Sequence, residues 1–140
     1  MKIDLDIPDN DIVVCVRIPG EPQAWERAGR DGRSGRTFNT KANTQAREYV
    51  RWVIKTKHPQ FPDRMDCVNR FGLAAIFETN LWDSDADNYL KQLLDTLQAY
   101  VFKNDRQVDK IFAHVERTVE KPNQQIIVYR TQCSLGGKQI

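Results

Sequence analysis

Asn69-Arg70-Phe71-Gly72-Leu73-Ala74-Ala75-Ile76-Phe77-Glu78-Thr79 and the run after it, Asp85-Ala86-Asp87-Asn88-Tyr89-Leu90-Lys91-Gln92-Leu93-Leu94-Asp95-Thr96-Leu97, together decide the fold. In the first, Phe71, Leu73, Ala75 and Phe77 lie on one face, with Leu-sized or smaller residues on the other, the two-residue period of a strand. In the second, Leu90, Leu93, Leu94, Leu97 and then Val101 fall at i, i+3, i+4, i+7 and i+11, the stripe of an amphipathic helix. The short loop Asn80 to Ser84 joins the two. A strand that feeds a helix in this way needs a sheet beside it and a helical layer over it.

Working outward toward the N-terminus, Lys41 to Lys57 reads as another helix, with Ala42, Ala46, Tyr49, Val50, Val53 and Ile54 as its apolar stripe and Arg47, Arg51 and Lys55 opposite. Pro59 and Pro62 end it. Before it lies a Gly- and Arg-rich loop over residues 20–39, long for a small domain and therefore a candidate for function. Before that, Ile12 to Ile18 is a β-branched strand stopped by Pro19-Gly20. Toward the C-terminus, a polar turn at Lys103 to Arg106 leads to a strand from Val108 to Val119. The Lys121-Pro122-Asn123 turn then leads to a last strand, Gln125 to Thr131. The order β-α-β-α-β-β predicts an α+β fold, a single small domain whose mixed sheet is covered by two helices. The final two strands are expected to form a hairpin. Residues 1–11 read as an acidic N-terminal tail, 12–131 as the domain and 132–140, with Gly136-Gly137, as a flexible tail.

At 140 residues, 29% charged and 40% apolar, the chain suits one domain with one core. The longest apolar stretches, Ile12 to Val16 and Phe71 to Phe77, fall far short of the ~20 residues of a spanning helix. Asp4, Asp6, Asp9 and Asp11 against Lys2 are the opposite of a secretory leader. Cys15, Cys67 and Cys133 have neither zinc-knuckle nor redox spacing. A reduced, cytosolic chain with no membrane partner is expected. The net charge of +2 conceals an asymmetry, because residues 17–57 carry ten bases against four acids. Arg27, Arg30, Arg33, Arg36 and Lys41, continued by Arg47, Arg51 and Lys55, form a basic block that suits a polyanion partner held near an acidic site. The other reading is a solvated loop and helix face. Trp25, inside this loop, either stacks on an unpaired base or packs beneath the loop.

Candidate chemistry lies between Asp83 and Asp105. Asp85 and Asp87 stand at the mouth of the second helix, Lys91 one turn beyond Asp87 on the same face, and Asp95 one turn further. Paired carboxylates suit Mg²⁺, which takes oxygen ligands and keeps waters and phosphate oxygens, and a neighbouring lysine can neutralise charge developing on phosphate. The alternative is structural: Ser84 or Asp85 as an N-cap, Asp87 and Lys91 as a surface pair. Asn88 either holds the helix mouth or a metal-bound water, and Asp95 is expected to orient Lys91. Asp83 reads first as a solvated surface acid, with a supporting place at the helix mouth as the alternative. Asp105, in the turn before the next strand, reaches the helix mouth only if the chain doubles back. A buried-strand Asp-x-Asp phosphohydrolase or nucleotide-sugar transferase is disfavoured by the polar loop before the pair and by the chain length.

Asp85-Ala86-Asp87-Asn88-Tyr89-Leu90-Lys91, then Asp95-Thr96-Leu97, then Asn104-Asp105-Arg106-Gln107-Val108 resembles the RusA family of Holliday-junction resolvases. That family shows an Asp-x-Asp-Asn-x-x-Lys-x-x-x-Asp-x-Leu run followed by an acidic pair and Gln-Val or Gln-Ile. Ile18-Pro19-Gly20-Glu21-Pro22 resembles its opening, and the likeness runs over residues 12–131. It implies a Mg²⁺- or Mn²⁺-dependent endodeoxyribonuclease. Such an enzyme acts as a homodimer and makes paired cuts in four-way DNA junctions during recombination or repair. A phage or prophage source in the cytoplasm of a bacterial host is implied as well. The resemblance places metal-site aspartates at Asp85, Asp87 and Asp105 and an essential lysine at Lys91. Asn104-Asp105 keeps the second acid of the family's pair and lacks the first. The glycine that usually follows the helix is absent from Gln98-Ala99-Tyr100-Val101. A catalytically inactive protein that binds junction or duplex DNA is the alternative.

Overall fold

The computed structural model describes residues 6–26, 29–30, 37–38, 40–117 and 119–131, with the backbone alone at 29–30 and 37–38. Strand β1 is Ile12–Pro19. Two short strands, β2 (Gly29–Arg30) and β3 (Thr37–Phe38), pair antiparallel inside the Gly- and Arg-rich segment. Helix α1 is Lys41–Lys57, β4 is Phe71–Thr79, α2 is Ala86–Leu97, β5 is Val108–Arg117 and β6 is Asn123–Arg130. Arg27, Arg33, Arg36, the first five residues of the acidic tail and the tail 132–140 lie outside the described residues, as does the side chain of Arg30.

The main sheet has the order β1-β6-β4-β5. β4 and β5 are parallel, from Phe71 opposite Val108 to Thr79 opposite Arg117, with α2 as the crossover between them. β6 lies between β1 and β4 and is antiparallel to both. This corrects the expected hairpin: β5 and β6 are consecutive in the chain, but β4 stands between them. All nine residues of β4 are buried, the signature of a central strand that needs a partner on each side. β5 is exposed from Asp109 to Phe112, alternates half-buried with exposed residues from Ala113 on, and takes the sheet edge. Its polar positions, Asp109, Lys110, His114 and Glu116, blunt that edge against further pairing.

Both helices pack on one face. Val14, Val16 and Ile18 of β1, Phe71, Leu73, Ala75 and Phe77 of β4, and Ile126 and Val128 of β6 meet Val50 and Ile54 of α1 and Tyr89, Leu93 and Leu97 of α2. α1 keeps the expected bounds, but its buried face is rotated relative to the expected stripe: Asn43, Val50 and Ile54 are buried while Tyr49 is exposed. Arg47 and Arg51 consequently flank α2 rather than standing opposite the core. α2 stops at Leu97, before Val101. Ala99 takes the left-handed conformation, φ 61°, that glycine usually supplies after a helix, and Val101 and Phe102 fold back into the core, fully buried. Among the described residues no helix is long and apolar enough to cross a membrane.

Candidate active site

β1 and β4 run in the same direction, each antiparallel to β6, and β5 runs parallel to β4. The carboxyl ends of β1, β4 and β5 therefore share one edge of the sheet, and the loops leaving them meet there. Glu21, after β1, accepts the Thr79 hydroxyl at the end of β4. Trp25 N–H donates to the Asn88 carbonyl at 3.0 Å, which fastens the first loop to α2. Arg117, the last residue of β5, donates to the carbonyls of Leu81 and Ser84, the latter at 2.6 Å. Val119 N–H reaches the Asn80 side chain at 2.8 Å. Three strands thus hold the short stretch that delivers the chain into α2.

Asp85 is the N-cap of α2. Its Oδ1 accepts the Asn88 N–H at 3.0 Å, so the structural alternative holds for that oxygen. Capping takes one oxygen and leaves the other open, and both Asp85 and Asp87 are exposed. Lys91, one turn on, forms no ion pair with Asp87 or Asp95; its ammonium lies 3.7 Å from the centre of the Trp25 ring. That contact places a cation on one face of the half-buried Trp25 ring and favours the packed reading of this residue over the stacking one. Asn88 acts through its backbone, with its N–H to Asp85 and its carbonyl to Trp25. Between the two loops lies a cavity of about 360 Å³ bordered by Glu21, Trp25, Leu81, Asp83 and Asn88.

Asp105 stands elsewhere. Its short 3-10 turn, Asp105–Gln107, precedes β5 and so lies at the amino edge of the sheet, opposite the mouth of α2. Its N–H donates to Gln98 Oε1 at 3.2 Å, at the far end of that helix, which at about 1.5 Å per residue is some 18 Å long. Asp95, on the exposed face of α2, shares a field with Asp105. Burial pushes the Asp95 carboxyl up, Lys91 and Arg47 oppose the rise, and Asp105 adds to it. Among the described residues no group of three His, Cys, Asp or Glu side chains could hold a metal ion. Within the chain Asp85 and Asp87 stand at the mouth of α2, and Asp105 stands by the far end of that helix. Asn104 caps the Asp105 turn, with Gln107 returning the bond to the Asn104 N–H. Gln107 also holds the carbonyls of Asp66 and Asn69, at 3.3 and 3.0 Å. The Asn-Asp-x-Gln run therefore builds the start of β5.

Of the basic block, Lys41 and Lys55 are exposed and Arg47 is half-buried beside α2. Arg51 is committed to the helix pair: its guanidinium donates to the carbonyls of Thr96 at 2.8 Å and Gln98 at 2.9 Å and lies 5.1 Å from the Tyr100 ring centre. It neutralises the carbonyl end of α2. Sequence reasoning passed over Arg117 and the exposed pair Leu81 and Trp82. A polar strand end is unremarkable until the sheet order brings it to the mouth of α2.

An α+β sheet that delivers two open carboxylates and a cation to one helix mouth has the equipment of a phosphodiester hydrolase. A family model narrows that class: endodeoxyribonuclease RusA matches residues 19–129 of the 140. The chain belongs to this family of DNA-cutting enzymes, as the Asp85 to Val108 motif implied. No individually curated protein matches it.

Proposed function

We propose that this protein resolves four-way DNA junctions by paired, metal-dependent cuts, acting as a homodimer in recombination or repair, in a phage or prophage setting. The observation that carries the reading is the mouth of α2, where Asp85 and Asp87 stand exposed in the family's motif with Lys91 one turn away. Their donor chemistry fits Mg²⁺ or Mn²⁺, since Mg²⁺ is commonly held by one or two carboxylates, its own waters and substrate phosphate. When bound, the ion supplies Lewis-acid polarisation of the phosphate and a water of lowered pKa.

The protein's own residues do the rest. Asp85 and Asp87 would hold and orient the ion at the mouth of α2, just after the loop that Arg117 fixes. Trp25 holds the Lys91 ammonium off the two aspartates, free to meet the phosphate oxygens as negative charge develops there. Asp95, below it on the helix, keeps that cation in place electrostatically. The exposed lysines, Lys41 and Lys55, and the arginines of the loop, Arg27, Arg30, Arg33 and Arg36, grip the phosphates of the arms and carry no chemistry. Asp105 completes a three-carboxylate set only from the second subunit of the dimer.

The second reading, a junction- or duplex-binding protein without turnover, is favoured by the absence of a three-acid group among the described residues. Incubation with a synthetic four-way junction, with and without Mg²⁺ or Mn²⁺, decides between them. Symmetric nicks on the junction and none on linear duplex are expected. Binding without cleavage at any metal concentration would select the second reading.

A further inference from the structure

Trp82 is 72% exposed and Leu81 46% exposed, an unusual use of two large apolar side chains, and they stand three and four residues before Asp85. The loop that carries them is firmly held. Leu81 N–H donates to Thr79 Oγ1 at 3.0 Å, and Arg117 holds the carbonyls on either side of Trp82 and Asp83. The same guanidinium lies 5.6 Å from the Trp82 ring centre. The indole is thus backed by a fixed cation and open to water three residues ahead of Asp85, whereas one face of the Trp25 ring already carries Lys91.

We propose that Trp82 is the platform on which a base unstacked at the branch point of a junction stacks, while the adjoining phosphodiester lies at Asp85 and Asp87. The proposal rests on the resolvase reading above. An indole accepts any base by its π-face and gives no sequence preference. An intact duplex offers no free base, so an exposed ring on the held loop that leads into Asp85 separates junction from duplex. Arg117 is its positioning residue, since it fixes both the loop backbone and the ring.

The test compares affinity for a four-way junction with affinity for a linear duplex of the same arms, in chelator, for the full chain and for Trp82→Ala, Trp82→Phe and Trp82→Leu. Trp82→Ala should lose junction affinity by roughly 5- to 150-fold, the range for one lost base stack, with duplex affinity unchanged. Trp82→Phe should restore most of the loss and Trp82→Leu little of it. Equal losses on both DNAs, or full rescue by leucine, would overturn the platform while leaving the resolvase reading intact. A change in subunit number for Trp82→Ala would also overturn it, by making the ring a dimer contact. A wild-type protein that neither prefers nor cuts the junction would remove the resolvase reading itself, and the platform with it.

Discussion

The Asp85 carboxylate accepts the Asn88 N–H at 3.0 Å, and asparagine caps a helix about as well as aspartate does. Asp85→Asn should therefore fold like the wild type and lose junction cleavage, whereas Asp85→Ala should lose cleavage and about 1 kcal/mol of stability as well. Asp87 caps nothing, so Asp87→Asn and Asp87→Ala should both abolish cleavage with only a few tenths of a kcal/mol lost from the helix dipole. Thermal melts beside cleavage assays separate the two positions, and a cutting variant at either one removes that residue from the site. Arg51 and Lys55, one turn apart on α1, should differ just as sharply. Arg51→Ala strips the carbonyls of Thr96 and Gln98 of their donors and should cost about 1–3 kcal/mol, leaving the salt dependence of DNA binding unchanged. Lys55→Ala should melt normally and reduce the slope of log K against log salt by about 0.9. A titration in which Arg51→Ala flattens the slope would place that guanidinium on DNA.

Helix α2 ends on Ala99 at φ 61°, a conformation that costs an L-residue about 1–2 kcal/mol. Glycine escapes that strain and gives back about 0.4–1 kcal/mol through the freer unfolded chain. Ala99→Gly should accordingly gain up to about 1 kcal/mol, read as a higher urea midpoint at constant slope; a lower midpoint would show that the methyl group packs. The missing glycine was visible in the sequence, and its consequence needed the backbone. Other elements divide the same way. The stripe of α1 set its bounds correctly because seventeen residues carry the period, yet the face was rotated, since Tyr49 looks apolar by type while its hydroxyl donates to the Pro19 carbonyl from an exposed position. The last two strands were readable as strands and misread as a hairpin. Nothing local in Lys121-Pro122-Asn123 says whether the next strand returns beside its predecessor or crosses β4. The motif Asp85-Ala86-Asp87 located one helix mouth by itself, but the separation of Asp105 follows only from β5 being parallel to β4.

That separation concerns the whole molecule. If Asp105 acts with the aspartates of a second subunit, mixing Asp87→Asn with Asp105→Asn should restore cleavage, because one site of the mixed dimer escapes both changes. Two inactive proteins that stay inactive after exchange of subunits would show that Asp105 does not serve across the dimer. The sheet order bears on something else, the making of the protein. Among the described residues β6 comes last in sequence yet lies inside the sheet, so β1 has no sheet neighbour there and β4 lacks one until residues 123–130 exist. More than a hundred residues must leave the ribosome before the first strand can pair at all. Helices can form along the way, but long-range pairing of this kind comes late and slowly. A nuclease whose sheet closes around β6 cannot be partly made and partly active: its aspartates reach their places only once residues 123–130 have been made.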